Sequence, residues 1–149
     1  PVIGYNYRLT DLQAAVGIEQ MKRLDSLVTR RRELARLYER LIAEAELPVS
    51  PPFVPDYATP NYQSYPVFLQ DGVAVSRDEI LQRLLDRGIA AKRGVITAHR
   101  EACYVERLGR LHLPATEKAS DRALLLPLYP AMEDNEAGQV TAALADSIQ

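Results

Sequence analysis

Pro48 to Pro60 places five prolines in thirteen positions, and that stretch limits what the chain can fold into. A proline within a helix removes a backbone hydrogen bond and clashes with the preceding turn. No helix can cross this segment, which reads as a surface crossover. Before it, everything after Thr10 has helical spacing; after it, strand and helix patterns alternate. The expectation is one domain over 1–149, divided into a linking loop with long helices (1–46) and a small α+β unit (47–149).

The first nine residues read as extended or looped. Thr10 with Gln13 forms a capping box, and Leu12, Ala15 and Val16 continue at helical spacing to about Lys22. A second helix restarts near Asp25, which can cap it. There Leu27, Leu34 and Leu41 recur every seven residues, with Leu24 and Tyr38 between them. Arg30, Arg31, Arg32, Arg36 and Arg40 fill the other faces and read as a solvated surface. Beyond the prolines, Tyr62 to Leu69 reads as a strand that Pro66 confines to an edge or a bulge. Asp71-Gly72 is a turn, and Ser76 with Glu79 caps a helix that Gly88 ends. Ile89 to Lys92 reads as a short strand, and 93–112 as irregular with one short helix. Thr116 to Leu125 reads as a helix stopped by Pro127. Leu126 to Pro130 is extended, and Asn135 to Ile148 is a closing amphipathic helix. The fold class is therefore α+β, a small sheet covered by helices and preceded by long helices.

Composition excludes several functions. The formal net charge of −2 draws the protein neither to nucleic acid nor to an anionic bilayer. No apolar run approaches the ~18 residues of a membrane span. A single cysteine leaves no intrachain disulfide and suits a reducing, cytoplasmic setting. The chain begins Pro1-Val2 without an initiator methionine, so it is expected to be processed or to be part of something longer.

Phosphate loops of the Walker or Rossmann type are missing. His99 and His112 lack the neighbouring Cys or carboxylates of a metal site. Cys103 reads as a partly buried structural thiol rather than a nucleophile paired with His99. None of Lys22, Lys92 and Lys118 stands where its pKa would obviously fall; Lys92, beside Arg93, is the one with a like-charged neighbour. Two loops draw notice. Tyr5, Asn6, Tyr7 and Arg8 precede a helix start and offer donors to an anion, or else pack a hydrophobic seam. Arg93 to His99 follows a strand and offers a second set of polar contacts.

Gly4-Tyr5-Asn6-Tyr7-Arg8-Leu9-Thr10-Asp11-Leu12-Gln13-Ala14-Ala15 resembles the segment that opens the C-terminal part of the DegT/DnrJ/StrS-type sugar aminotransferases. The likeness continues, in order, through Arg30-Arg31-Arg32-Glu33-Leu34-Ala35, Gln63-Ser64-Tyr65, Arg77-Asp78-Glu79, Gly88-Ile89, Lys92-Arg93-Gly94-Val95 with His99, and Leu126-Pro127-Leu128. It covers essentially the whole chain.

The resemblance implies the small C-terminal domain of the aspartate-aminotransferase fold (fold type I) and a homodimeric parent dependent on pyridoxal 5'-phosphate. That parent would move an amino group from an amino acid, usually glutamate, to a nucleotide-linked keto-sugar. Asn6 matches the asparagine that reaches the cofactor phosphate of the neighbouring subunit. Tyr5, Tyr7 and Arg8 match residues around that intersubunit site. Gln63, Ser64 and Tyr65 match the strand bordering the substrate cleft, and Arg93 and His99 match the loop that closes over the sugar nucleotide. The Schiff-base lysine of the family matches no residue here and would lie upstream, so the chain alone is expected to be inactive. Relatives with a histidine at that lysine's position dehydrate sugars instead. A stand-alone α+β small-molecule-binding module is the reading from a different class. Separation from an upstream half would also leave apolar surface on the Leu12 to Val28 helices, favouring self-association.

Overall fold

The structure is a computed structural model and describes residues 7–149. Among these, the chain runs α1 (Asp11–Met21), α2 (Leu24–Glu44), β1 (Val49–Ser50), β2 (Tyr65–Leu69), α3 (Arg77–Asp86), β3 (Lys92–Arg93), a 3-10 turn (Ala98–Arg100), α4 (Ala102–Leu108), α5 (Pro114–Arg122), β4 (Ala123–Leu126) and α6 (Asp134–Ile148). The result is an α+β fold: one antiparallel sheet in the order β1-β2-β4-β3 with helices against it.

The caps explain where the helices start and stop. Thr10 and Gln13 make both halves of the expected box at α1. Ser76 accepts from the Glu79 N–H at 3.2 Å, while the Glu79 carboxylate turns to Arg83 at 2.8 Å. At the end of α3, Gly88 has φ +78°, which an L side chain rarely adopts. Its N–H reaches the Leu85 carbonyl and that of Ile89 reaches Leu84, the paired bonds of a Schellman ending. Glu133 and Glu136 form a capping box at α6. At α2, however, Arg23 precedes the first turn without a side-chain bond. Asp25 does not cap it; it lies inside the first turn, where its charge faces the positive end of the dipole.

The sheet buries one face. Tyr65, Val67 and Leu69 of β2 are buried while Pro66 and Phe68 are half-buried, the two-residue alternation of a pleated strand. Against the buried face pack Leu34, Ala35, Tyr38 and Ile42 of α2, Ile80 and Leu84 of α3, and Ala137, Val140 and Leu144 of α6. The second half of α2 thus shares its core with the sheet. By contrast α1 buries no residue. Leu12, Val16, Ile18 and Met21 stand exposed along it, as does Leu24 at the start of α2.

Several expectations are corrected. Ala123 to Leu126 is an inner strand paired on both sides, not the end of a helix, and α5 closes at Arg122. The Arg122 guanidinium donates to the Leu69 and Gln70 carbonyls, a tie that fixes the change from helix to strand. β3 lies at Lys92–Arg93 rather than Ile89 to Lys92. Pro66 is in an inner strand, yet β1 pairs with Phe68 and Leu69 alone. At Pro66 the strand therefore has one partner, β4, which is the local setting a proline tolerates. The arginines of α2 are not simply a solvated face. Arg30, Arg31 and Arg32 are half-buried and donate to the main-chain carbonyls of Met132, of Tyr62 and Gln63, and of Pro60. Cys103 is exposed, not partly buried. No helix among the described residues is long and apolar enough to cross a membrane.

Candidate functional site

Because β2 and β3 both run antiparallel to β4, the starts of β2 and β3 meet the end of β4 at one end of the sheet. A groove of about 840 Å³ opens there. Gln63 and Ser64 form one wall, the Gly88 to Ala90 turn another, and Leu128, Met132 and Val140 contribute apolar surface. Its charged groups are Arg87, Lys92 and Glu136. Arg87 is held by α6 through the Ala143 carbonyl, Ser147 Oγ and Asp146. Glu136 accepts from the Tyr129 hydroxyl at 3.1 Å, and that bond raises the phenol's pKa. Lys92 is exposed on the rim.

The wall carrying Gln63 is built under strain. Tyr62 has φ +47°, a conformation that costs of order 1–3 kcal/mol for a bulky residue and clusters at functional sites. Arg31 Nη1 holds the turn by donating to the Tyr62 and Gln63 carbonyls, each at 2.9 Å, and Arg32 Nε holds Pro60 at 2.9 Å. Beyond it Ser64 Oγ donates to Gln63 Oε1 at 2.7 Å. Tyr65, next in the chain, points the other way. It is fully buried and its hydroxyl has no hydrogen-bond partner among the described residues.

Arg93 and His99 belong to a second cluster. Arg93 Nη2 meets Asp78 Oδ2 at 3.0 Å, and Arg77 Nε meets Asp78 Oδ1 at 2.6 Å. Arg77 also donates to the Ser120 carbonyl, and Ser120 Oγ to the Val95 carbonyl. His99 Nε2 lies 3.1 Å from Glu117 Oε1, with Arg100 and His112 3.4 and 3.3 Å from Oε2. The Leu113 N–H donates to the same carboxylate at 2.8 Å. That backbone bond and the His99 bond hold the Glu117 pKa at about 2.

The sequence-predicted residues are thus distributed rather than gathered. Gln63 and Ser64 line the groove, whereas Arg93 and His99 are tied to α3 and α5. Tyr65 is a core residue. Tyr7 and Arg8 are exposed ahead of α1, and Tyr5 and Asn6 lie outside the described residues. Glu117 and Glu136 are not singled out by the sequence, and Arg31 and Asp78 are named there without the contacts they make. Glu117, in the first turn of a helix opened by Pro114, was the most findable.

Schiff-base chemistry with a carbonyl cofactor needs an amine that can shed its proton. Lys22 is exposed and paired with Glu19, Lys118 is exposed and paired with Asp71, and Lys92 is exposed. None is desolvated, so the described residues do not by themselves form such a site. No group of three or more His, Cys, Asp or Glu side chains among them is placed to hold a metal ion.

The model of the DegT/DnrJ/EryC1/StrS aminotransferase family matches residues 1–145. Among solved structures, the aminotransferase TlmJ from Streptoalloteichus hindustanus is 28% identical with a TM-score of 0.84, covering 98% of this chain and 38% of its own. DesV from S. venezuelae, solved with a ketimine intermediate, is 25% identical with a TM-score of 0.81, covering 99% and 39%. PseC from Helicobacter pylori, an aminotransferase of pseudoaminic acid biosynthesis, shares the fold at 22% identity and a TM-score of 0.87, covering 99% and 40%. The chain therefore spans about two fifths of the length of the solved proteins it matches.

Proposed function

Because the chain belongs to the DegT/DnrJ/EryC1/StrS aminotransferase family, we propose that it is the C-terminal portion of a pyridoxal-phosphate-dependent sugar aminotransferase. The parent transfers an amino group from an amino acid, glutamate being the simplest donor, to a nucleotide-linked keto-sugar. The observation that carries this reading is the family match over residues 1–145, nearly the whole chain. The likeness in fold to TlmJ and DesV supports it.

In this reading the chain supplies walls and contacts, and the group that bonds the cofactor comes from elsewhere in the parent. Asn6 donates its side-chain amide to the cofactor phosphate of a second subunit, with Tyr5, Tyr7 and Arg8 beside it. Gln63 offers polar atoms at the groove mouth, and Tyr65 acts from the core by fixing the start of β2, just after the turn that carries Gln63. Arg93, at the end of β3, and His99, in the segment after it, face the sugar nucleotide. The exposed apolar side chains of α1 support burial against other parts of a homodimeric parent. The isolated chain is inert.

Expression of the full reading frame tests the proposal. A lysine after a serine-rich strand upstream, amino transfer to a nucleotide keto-sugar, and weaker cofactor retention in Asn6→Ala are the expected results. Unchanged cofactor affinity in an equilibrium titration of that variant removes Asn6 from the site. A histidine in place of the lysine makes the parent a dehydratase, and a start codon immediately before Pro1 leaves a binding module.

A further inference from the structure

One carboxylate joins both feet of the excursion between β3 and α5. The chain leaves the sheet at Gly94, whose N–H bonds the Ala123 carbonyl at 3.1 Å, and returns at Leu113, the residue that precedes α5. Between these points α4 buries no residue, and Tyr104, Leu108 and Leu111 are exposed. At the outgoing foot Glu117 takes His99 Nε2 at 3.1 Å and Arg100 at 3.4 Å. Arg100 also forms two bonds to Asp121. At the returning foot Glu117 takes the Leu113 N–H at 2.8 Å and His112 Nδ1 at 3.3 Å. Its side chain is 18% exposed and that of His99 7%, whereas the residues between the feet are largely open to solvent.

The donor and acceptor roles at His99 follow from chemistry. An ionised carboxylate has acceptors alone, so His99 Nε2 must carry the proton shared with Glu117. In the neutral ring Nδ1 is then left as the acceptor.

We propose that Glu117 is the positioning residue of the 97–113 excursion: it clasps both feet to α5 and fixes His99 as the Nε2–H tautomer, leaving Nδ1 to accept from a hydroxyl donor of the sugar nucleotide. The substrate half rests on the reading of His99 given above. The clasp half stands on the geometry alone, because the segment between the feet has no buried side chain of α4 to hold it.

The test uses the whole chain, wild type and Glu117→Gln, with nitrogen-15 spectra of the imidazoles and amide hydrogen exchange. Expected are the Nε2–H tautomer for His99 in the wild type and loss of that single tautomer in the variant. Exchange should accelerate about tenfold or more at both feet while β2 and β4 keep their protection. An Nδ1–H tautomer in the wild type overturns the proposal, and that measurement stands even if the variant does not fold. Exchange at the feet equal to wild type in a folded variant also overturns it. In the complete enzyme, Glu117→Gln should raise KM for the nucleotide sugar about tenfold with the amino-donor half-reaction unchanged. Unchanged KM alongside altered exchange rejects the substrate role of His99 and leaves the clasp standing.

Discussion

The rings of Tyr38 and Tyr65 stack face to face in the core, with centroids 5.1 Å apart and planes within 20°. The two are equivalent in burial and opposite in satisfaction. The Tyr38 hydroxyl donates to the Pro127 carbonyl at 2.8 Å, whereas the Tyr65 hydroxyl has no partner among the described residues. Burial pushes both phenols above their ordinary range, so both remain neutral donors.

The asymmetry predicts opposite responses to the same substitution. Tyr38→Phe should cost about 1–2 kcal/mol, because it removes a bond and strands a carbonyl. Tyr65→Phe should be neutral or stabilise by up to about 1 kcal/mol, since it deletes an unsatisfied buried group. Urea unfolding of the two variants with unchanged slope checks this. A loss of activity in the complete enzyme with Tyr65→Phe, at undiminished stability, would give that hydroxyl a role beyond packing.

Arg31→Met should destabilise by about 2 kcal/mol, because one charged donor serves two carbonyls on a turn with a positive φ at Tyr62. The loss should be accompanied by faster amide exchange at residues 60–64. A surface-like effect below about 0.5 kcal/mol would mean that the turn holds itself.

Gly94→Ala places a Cβ 2.5 Å from the Ala123 Cβ, too close for Gly94 and β4 both to keep their positions. A cost of about 2 kcal/mol or more is expected from this overpacking. Gly88→Ala meets open space but keeps φ +78°, so its cost is near 1 kcal/mol and purely conformational. Thermal unfolding of the pair separates steric from backbone strain.

Acid should loosen the clasp. The Glu117 pKa falls from an ordinary 4.5 to about 2 in the folded chain, so folding favours the ionised form. Its contribution is fully present above pH 4.5 and is lost as pH falls through about 2. Stability measured across that window should fall less steeply in Glu117→Gln than in the wild type. Parallel acid limbs would show that Glu117 ionises alike in the folded and unfolded chain.

What the sequence displays and hides follows the range of the forces involved. Thr10 with Gln13, Ser76, and Gly88 act over three or four residues, and their helix ends were legible. Ala123 to Leu126 was not, because four apolar residues carry no period that separates strand from helix, and β2 and β3 on either side decide the matter. Arg31 and Arg32 looked solvated because their partners, from Pro60 to Gln63, lie across the proline crossover. Of the candidate site, Gln63 lines the groove, but only the family resemblance singles it out, since no local pattern marks a groove edge. Of the Glu117 hub, Leu113 and His112 are sequence neighbours, whereas His99 and Arg100 come from a turn 18 and 17 residues away and no local pattern links them to it.

The position of β4 bears on how the protein is made. Tyr65 pairs with Leu126, and Lys92 with Leu125, so the strand that unites β2 and β3 is the last of these four strands to leave the ribosome. Until it emerges, both earlier strands present open edges and the sheet cannot close. Synthesis must therefore carry an unfinished sheet from the emergence of β2 until that of β4, a stage at which open strand edges favour aggregation and call on chaperones. Substitutions in β4 should consequently reduce yield during synthesis more than they reduce the stability of molecules already folded.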